Sequence, residues 1–517
     1  LQALSNLDPS FVIVENNSAG SNPNVLPEVR LRGVSTIPTV DDLQNSTRAE
    51  LCTPLFILDG FEITLEQMMD LNNDEIASIT ILKDASSTAM YGSRGANGVI
   101  VITSIEPQVG KLKVSYSGNL NLEIPDLGSY NLMNAREKLQ VEWEAGVYNN
   151  DNPTDDAVLK QAYAKKMSRV LAGVNTNWLK IPVRVGTGQD HYLNLTGGDQ
   201  HFRFSMGLSY NIIKGAMRGS DRNTLNGNLR LQYLTEKFSF SNNVSLSFNK
   251  SSNGTWGDFS TYANLNPYYE PYDEEGNIVR QFETEGNRAF PNPINNPLAD
   301  AHTNSFDNSD YTNISNNFQL TYNPTKTIQA TVNFSYSKRY SKTETYTSPN
   351  HSDYWAQDDY TVRGERSYSD NTNHSYSLSA TCSYYNTWGK HIMTAGVNYS
   401  LLENQTDTRG MRVIGFLNES MNDLSNADSY KGDRPSSSNS KSRSIGLAAS
   451  VNYNYDNRYF ADVSYRADGS SSFGNNSRWA PFWSIGCGWN INQEKFIQHN
   501  VPFISLFRIK YSYGVSG

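Results

Sequence analysis

From Gly110 onward, apolar and polar residues alternate with a period of two. Leu112, Val114, Tyr116, Gly118, Leu120, Leu122 and Ile124 interleave with Lys113, Ser115, Ser117, Asn119, Asn121 and Glu123. The alternation returns from Phe202 to Ile212, Phe238 to Phe248, Ile328 to Tyr336, Tyr376 to Tyr384, Ile445 to Tyr453 and Phe507 to Val515. Successive side chains of a strand point to opposite faces, so each run predicts a strand with one apolar and one polar face. About thirteen such segments occur, each near the ~9–11 residues that a tilted strand needs to cross a bilayer.

The predicted connections alternate in length. Short ones fall at Gly198 to Gln200, Thr235-Glu236, Asn323 to Lys326, Thr387 to Lys390 and Tyr455 to Asn457. Long ones cover Pro125 to about Gly188, Asn249 to Asp310, Tyr340 to Asp370 and Leu402 to Lys441. Ile213 to Asp221 and Ala467 to Arg478 are intermediate and fall on the long side; Asn492 to Ile504 is longish on the short side. Short turns at one rim and long loops at the other are the signature of an outer-membrane β-barrel. A soluble sandwich has no reason to segregate its loops. The long connection from Pro125 to Lys180 has helical spacing at Leu132, Ala135, Leu139 and Trp143, and again at Ala157, Ala164 and Leu171, predicting two short helices near the barrel mouth.

Before Gly110 the pattern differs. Apolar runs at Pro54 to Leu58 and Ile76 to Leu82 alternate with loops. A short helical stretch, Asp84 to Tyr91, leads through Gly92 to Gly98 into a buried-looking strand, Val99 to Thr103. These elements predict a small α+β domain over residues 1–107, with a linker at Glu106 to Gly110 and barrel strands over 111–517. The fold class is a membrane β-barrel, incomplete within this chain.

Composition narrows the picture further. The 517 residues carry 43 Lys+Arg against 52 Asp+Glu, a net charge of −9, which leaves no basic excess for neutralising nucleic-acid phosphates. Mean hydropathy is −0.58, and no apolar run approaches the ~18 residues of a spanning helix. With 31 Tyr and 21 Phe the chain is too aromatic for a disordered polymer. A polar-looking sequence can cross lipid only as a closed barrel, because every backbone N–H and C=O must be paired there. Cys52, Cys382 and Cys487 are too few and too scattered for a disulfide framework, and Cys382 and Cys487 fall on the apolar phase of their strands. The seven His form no metal or catalytic spacing, no cofactor motif is present, and the chain reads as no enzyme. Opening on Leu1 and stopping inside a strand-like run, it also reads as a fragment.

Four segments of the N-terminal domain occur in order: Val29 to Ser35, Pro54 to Gly60, Asp74 to Ser86, and Ala89 to Thr103. Together they closely resemble the plug of TonB-dependent outer-membrane transporters, specifically the SusC/RagA family. Tyr465 to Ser470 and Tyr511 to Gly517 look like that family's barrel strands. The resemblance implies a plug filling a barrel of 22 strands, about thirteen of them in this chain. It also implies a TonB-contacting segment before Leu1 and a SusD-like surface lipoprotein seated over the barrel. The implied cargo is an oligosaccharide or peptide, taken up across the outer membrane of a Gram-negative bacterium with energy delivered through TonB.

Charges recur at the plug motifs: Arg32, Asp59, Lys83, Asp84 and Arg94. Enclosed by a polar wall they need partners, since an unpaired buried charge costs several kcal/mol. A static network seating the plug is favoured over a latch that loosens under TonB tension. Gly92, Gly95 and Gly98 have neither dinucleotide nor P-loop spacing and read as turn glycines. In the long loops, Trp256, Tyr262, Tyr268, Tyr269 and Tyr272 crowd one connection, and Tyr354, Trp355 and Tyr360 another. Their rings could stack on cargo or hold the lipoprotein, or pack the loops together. Tyr322, Trp388 and Trp479 suit the interfacial girdle, against outer-membrane lipid. Asp273-Glu274-Glu275 reads as a solvated turn rather than a Ca²⁺ loop. Two alternatives to an importer stand: a glycan-binding surface adhesin that never transports, and a lidless siderophore or vitamin transporter.

Overall fold

A computed structural model describes residues 8–14, 22–31, 53–83, 91, 95, 97–287, 290–432, 434–472, 474, 478–500, 503 and 505–515. The N-terminal part holds a two-stranded ribbon, β1 (Phe11–Val14) with β2 (Glu28–Leu31), and a four-stranded sheet. That sheet contains β3 (Leu55–Leu58), β4 (Phe61–Ile63), β5 (Ile76–Leu82) and β6 (Val99–Ser104) in the order β4-β3-β6-β5. β3 and β4 form a tight hairpin whose turn residues, Asp59 and Gly60, both have positive φ (52° and 87°). Asp-Gly is the pair such a turn favours, because Gly lacks a Cβ and Asp tolerates the left-handed region. A short helix, α1 (Leu65–Met69), follows, opened by a capping box between Thr64 and Gln67. Phe11, Val29, Phe56, Ile100 and Ile102 form the core between ribbon, helix and sheet.

Beyond Gly110 one antiparallel sheet takes over. Its strands are β7 (Gly110–Glu123), β8 (Gly186–Gly198), β9 (Phe202–Lys214), β10 (Asp221–Leu234) and β11 (Phe238–Asn253). After a hairpin of β12 (Gln281–Asn287) and β13 (Phe290–Asn295) come β14 (Phe306–Tyr322), β15 (Ile328–Thr347), β16 (Glu365–Trp388) and β17 (His391–Ile414). A two-residue β18 (Ser429–Tyr430) joins β17 at its edge, and β19 (Ser436–Tyr455), β20 (Tyr459–Ser470), β21 (Trp479–Asn490) and β22 (Arg508–Val515) complete the sheet. Apart from β12, β13 and β18, every strand from β7 to β22 pairs with its sequence neighbours, giving the expected path of thirteen.

Two connections run differently from expectation. Residues 340–370 and 402–441 are not open loops: β15 continues to Thr347, β16 begins at Glu365, β17 continues to Ile414 and β19 begins at Ser436. Backbone pairing persists there after the outward residues turn polar, so hydrophobic periodicity fades before the strand does. The helices of the first long connection form as α2 (Ala135–Glu144) and α3 (Pro153–Leu171). No helix among the described residues is long and apolar enough to cross a membrane.

The pleat sorts the wall into two faces. On β10 the odd positions Leu225, Leu229, Leu231 and Tyr233 stand opposite Tyr210, Met206, Phe204 and Phe202 of β9 and face outward. The even positions Arg222, Thr224, Asn226, Asn228 and Arg230 face inward, where the plug lies.

Candidate functional site

The plug meets the wall through charges. Asp59, held at the β3–β4 turn, accepts hydrogen bonds from the Ser104 backbone N–H (2.9 Å) and hydroxyl (2.6 Å) and pairs with Arg230 of β10. This candidate therefore bridges plug and wall. Lys83 pairs instead inside the plug, with Asp8 at 2.6 Å, and this bond holds the Asp8 carboxyl down at about 2. Arg32, Asp84 and Arg94 lie outside the described residues.

A second carboxylate pair sits on α1 and its C-cap. Arg222 of β10 straddles Asp70 (Nη2 to Oδ1 3.0 Å, to Oδ2 3.1 Å) and reaches Glu66 at 3.4 Å. Arg339 of β15 donates to the other Glu66 oxygen at 2.5 Å and lies 3.9 Å over the Tyr311 ring. The Tyr311 hydroxyl of β14 donates to Asp70, and Asn226 donates to the Asp70 carbonyl at 3.0 Å. Burial pushes the Asp70 carboxyl up, opposed by Arg222 and Tyr311. Burial likewise pushes Glu75 up, opposed by hydrogen bonds from Asn228 and Tyr192. Ser117 of β7 donates to Asp74 at 2.5 Å. One five-residue helix and the turn after it thus contact five wall strands through polar groups.

Glu66, Asp70, Glu75, Arg222, Arg230 and Arg339 were not singled out by sequence motifs. The available signal was phase: Arg222 and Arg230 occupy the polar phase of a strand whose other phase is Leu225, Leu229 and Leu231. Near Asp59 and Arg230 the seam opens into a cavity of about 260 Å³, lined also by Asp74, Glu75, Tyr192 and Asn228. Among the described residues no group of three or more His, Cys, Asp or Glu could hold a metal ion.

At the other end of the wall the long connections form a continuous canopy. Tyr262, Tyr268 and Tyr269 are buried with Leu139, Tyr148, Trp178 and Leu298. The Tyr268 hydroxyl donates to Glu142 (3.0 Å), Tyr269 donates to Glu283, and Trp178 Nε1 donates to the Asn266 carbonyl (3.0 Å). Burial holds the Tyr148, Tyr262 and Tyr268 phenols well above their ordinary range. These three candidate tyrosines at 262, 268 and 269 bind loop to loop and present little surface to a ligand. Trp256 lies against His302 and under Arg218, and Trp355 lies under Arg280. Tyr354 is half-buried, its phenol pushed up to about 12 by burial. Tyr272 and Tyr360 are exposed. Asp273 accepts from the Asn277 N–H at 2.7 Å, closing the expected turn.

Asp300 accepts from the Ser352 N–H (2.7 Å) and hydroxyl (2.6 Å), while Glu419 accepts from the Ser348 hydroxyl (3.2 Å). The loops at 254–305, 348–364 and 415–435 are joined in this way, above a wall whose inner face holds the plug.

Residues 1–99 match the family model of the TonB-dependent Receptor Plug Domain. The TonB-dependent receptor SusC of Bacteroides thetaiotaomicron is 24% identical over 95% of this chain and 47% of its own length. TonB-dependent receptor P39 of Formosa agariphila is 24% identical over 100% of this chain and 46% of its own. The structure of the RagAB peptide transporter superposes with a TM-score of 0.74 at 21% identity, covering 98% of this chain and 57% of that one. The chain is thus similar to TonB-dependent receptors of the SusC/RagA kind. It belongs to the outer membrane of a Gram-negative bacterium and is not an enzyme. The SusC/RagA-like chain spans about half the length of the curated relatives it matches. The ferric citrate transporter FecA shares the fold more distantly, with a TM-score of 0.55 at 11% identity.

Proposed function

We propose that this chain supplies the plug and part of the wall of an active importer of oligosaccharides or peptides. The plug blocks the lumen at rest and is displaced when TonB transmits energy from the inner membrane. A SusD-like lipoprotein covers the canopy. The observation that carries this reading is the seating of Glu66 and Asp70 by Arg222, Arg339 and Tyr311, because it ties a separate domain to the inner face of a lipid-crossing wall. An adhesin has no use for such a stopper. The better superposition on RagAB than on FecA favours the lidded, large-cargo type over a chelate transporter.

In this reading the ion pairs seat the plug, and the polar cavity beside Asp59 and Arg230 keeps part of the seam hydrated. Arg32, Asp84 and Arg94 are proposed to complete the network. Tyr272 and Tyr360 are proposed to meet cargo or lipoprotein, with Trp256, Tyr354 and Trp355 behind them, while Tyr262, Tyr268 and Tyr269 hold the canopy's shape. The test is to extract the full-length protein from outer membranes in mild detergent and identify by mass spectrometry what co-purifies. A stoichiometric lipoprotein with bound oligosaccharide or peptide is expected. A barrel that arrives alone and binds a metal chelate overturns the reading.

A further inference from the structure

The strands of the middle of the wall are longer than a membrane requires. β16 and β17 have 24 residues each and β15 and β19 have 20, against the ~9–11 that cross a bilayer. Towards the long-loop end the outward phase of the wall strands changes character. On β9 the last apolar outward residue is Ile212 and the next outward is Lys214; on β11 Phe248 gives way to Lys250; on β15 Tyr336 gives way to Lys338. On the descending β19, Lys441 and Arg443 precede Ile445 on the same phase. Around this boundary the five cations Lys214, Lys250, Lys338, Lys441 and Arg443 outnumber the three outward carboxylates Asp221, Asp310 and Glu403, although the whole chain is acidic. Arg443 and Lys441 share Glu403, each at 2.6 Å. Lys214, Lys250 and Lys338 are exposed and make no ion pair among the described residues.

The register extends the collar upward. Lys250 lies opposite Asp310, Asp310 opposite Lys342, Lys342 opposite Asp370, and Asp370 opposite Arg409. Such a rung places opposite charges across strands, yet Lys250 at its end, like Lys214 opposite Asp221 and Lys338 opposite Ile314, makes no ion pair among the described residues. The opposite rim is built differently. There Trp388, His391, Tyr455, Tyr459 and Trp489 form a run of neighbouring rings along five strands, with successive centroids 5.0–6.5 Å apart. One rim is aromatic and the other cationic.

We propose that the collar of Lys214, Lys250, Lys338, Lys441 and Arg443 binds the phosphate groups of a phosphorylated glycolipid in the outer leaflet. The acyl chains lie against the apolar rows below, at Phe248, Ile314 and Phe334, and the phosphates meet the ammonium groups directly above. Lys250 and Lys338 flank β14, so their strands are about 10 Å apart at ordinary strand spacing, separated enough to hold one phosphate each. A basic residue at an anionic membrane surface adds to binding, and several in one collar add together. This inference rests on the outer-membrane placement and is independent of the cargo.

The test uses the full-length protein extracted in mild detergent, washed free of loose lipid, with bound lipid identified by mass spectrometry and counted by phosphate assay. The K250Q/K338Q/K441Q/R443Q variant is expected to retain less glycolipid than wild type by about tenfold or more. A K237Q/K326Q variant, altered at exposed lysines of the other rim, is expected to match wild type. Delipidated wild type is expected to rebind the phosphorylated glycolipid and not its dephosphorylated form. Equal retention by wild type and the collar variant, retention of phospholipid in place of glycolipid, or rebinding that ignores the phosphates overturns the proposal. Should the collar variant fail to assemble, the rebinding comparison on wild type decides alone.

Discussion

The plug seam and the canopy are both contacts between segments far apart in sequence, yet they are made of different material. The seam joins Asp59, Glu66 and Asp70 to Arg222, Arg230 and Arg339, with hydroxyls and amides filling in. The canopy joins its loops over Leu139, Tyr262, Tyr268, Tyr269 and Leu298, with polar bonds at the margins. Charged groups that separate regain water, whereas an opened aromatic core exposes surface that water disfavours. The seam is suited to parting under load and reseating; the canopy is suited to staying closed as a shaped mouth.

Removing one seam partner should break that contrast most severely. In Arg222→Ala, Asp70 and Glu66 stay buried beside an empty place, a change of about 3–5 kcal/mol by analogy with other broken buried pairs. The urea concentration that unseats the plug in the full-length protein is expected to fall, and single-channel leak to rise, with the canopy still protease-resistant. An unchanged unseating midpoint would show that the seam rests elsewhere. Leu139→Ala is the mirror experiment: a fully buried side chain lost from the canopy should weaken it by about 2–5 kcal/mol. Loop proteolysis should then accelerate while plug seating stays at the wild-type value.

Gly207→Ala probes the seam more gently. A Cβ there would come 2.8 Å from Asn228 Oδ1 and 3.0 Å from both Asn228 Nδ2 and the Tyr192 hydroxyl, crowding the two side chains that hydrogen-bond Glu75. Strain of about 1–3 kcal/mol is expected, read as a lower unseating midpoint. Smaller still is the effect of pH. Asp70 and Glu75 are held above their ordinary values in the seated plug, so the seated state binds protons more readily than the released one. Their contribution is unfavourable above the raised values and is relieved as pH falls through them. It stops changing below the ordinary carboxylate range. Seating should therefore tighten as pH falls from neutral towards the ordinary carboxylate range, and loosening on that descent would reverse the assignment.

How much of this was legible in the sequence differs by element. The wall's thirteen-strand path follows from period-two alternation because a strand between lipid and a polar lumen sorts every side chain. The upper halves of β15, β16, β17 and β19 were invisible to the same rule, since above the belt both faces are polar. Asp59 was legible as a charge at the end of the Pro54 to Gly60 motif. Its partner Arg230 was not, because which inward residue meets the plug depends on how the wall curves around it. Helix α1 is too short for a helical period to register, although its capping box at Thr64 and Gln67 was readable. Crowded aromatics announced the canopy but not its inside. Tyr262 and Tyr272 look alike in sequence, and one is fully buried while the other is exposed.

That pair supplies the finest test of the contrast. Tyr262 is 0% exposed, and its hydroxyl has no hydrogen-bond partner among the described residues. If the canopy is held by apolar packing, this oxygen adds nothing that its ring does not. A buried hydroxyl without a partner carries a desolvation penalty, so deleting it can be neutral or favourable. Tyr262→Phe should therefore leave loop proteolysis unchanged or slow it, by about 1 kcal/mol at most. Faster proteolysis would mean that the hydroxyl is bonded in solution. The canopy would then depend on polar anchors as the seam does, and the distinction between a mouth that stays shut and a plug that parts would lose its physical basis.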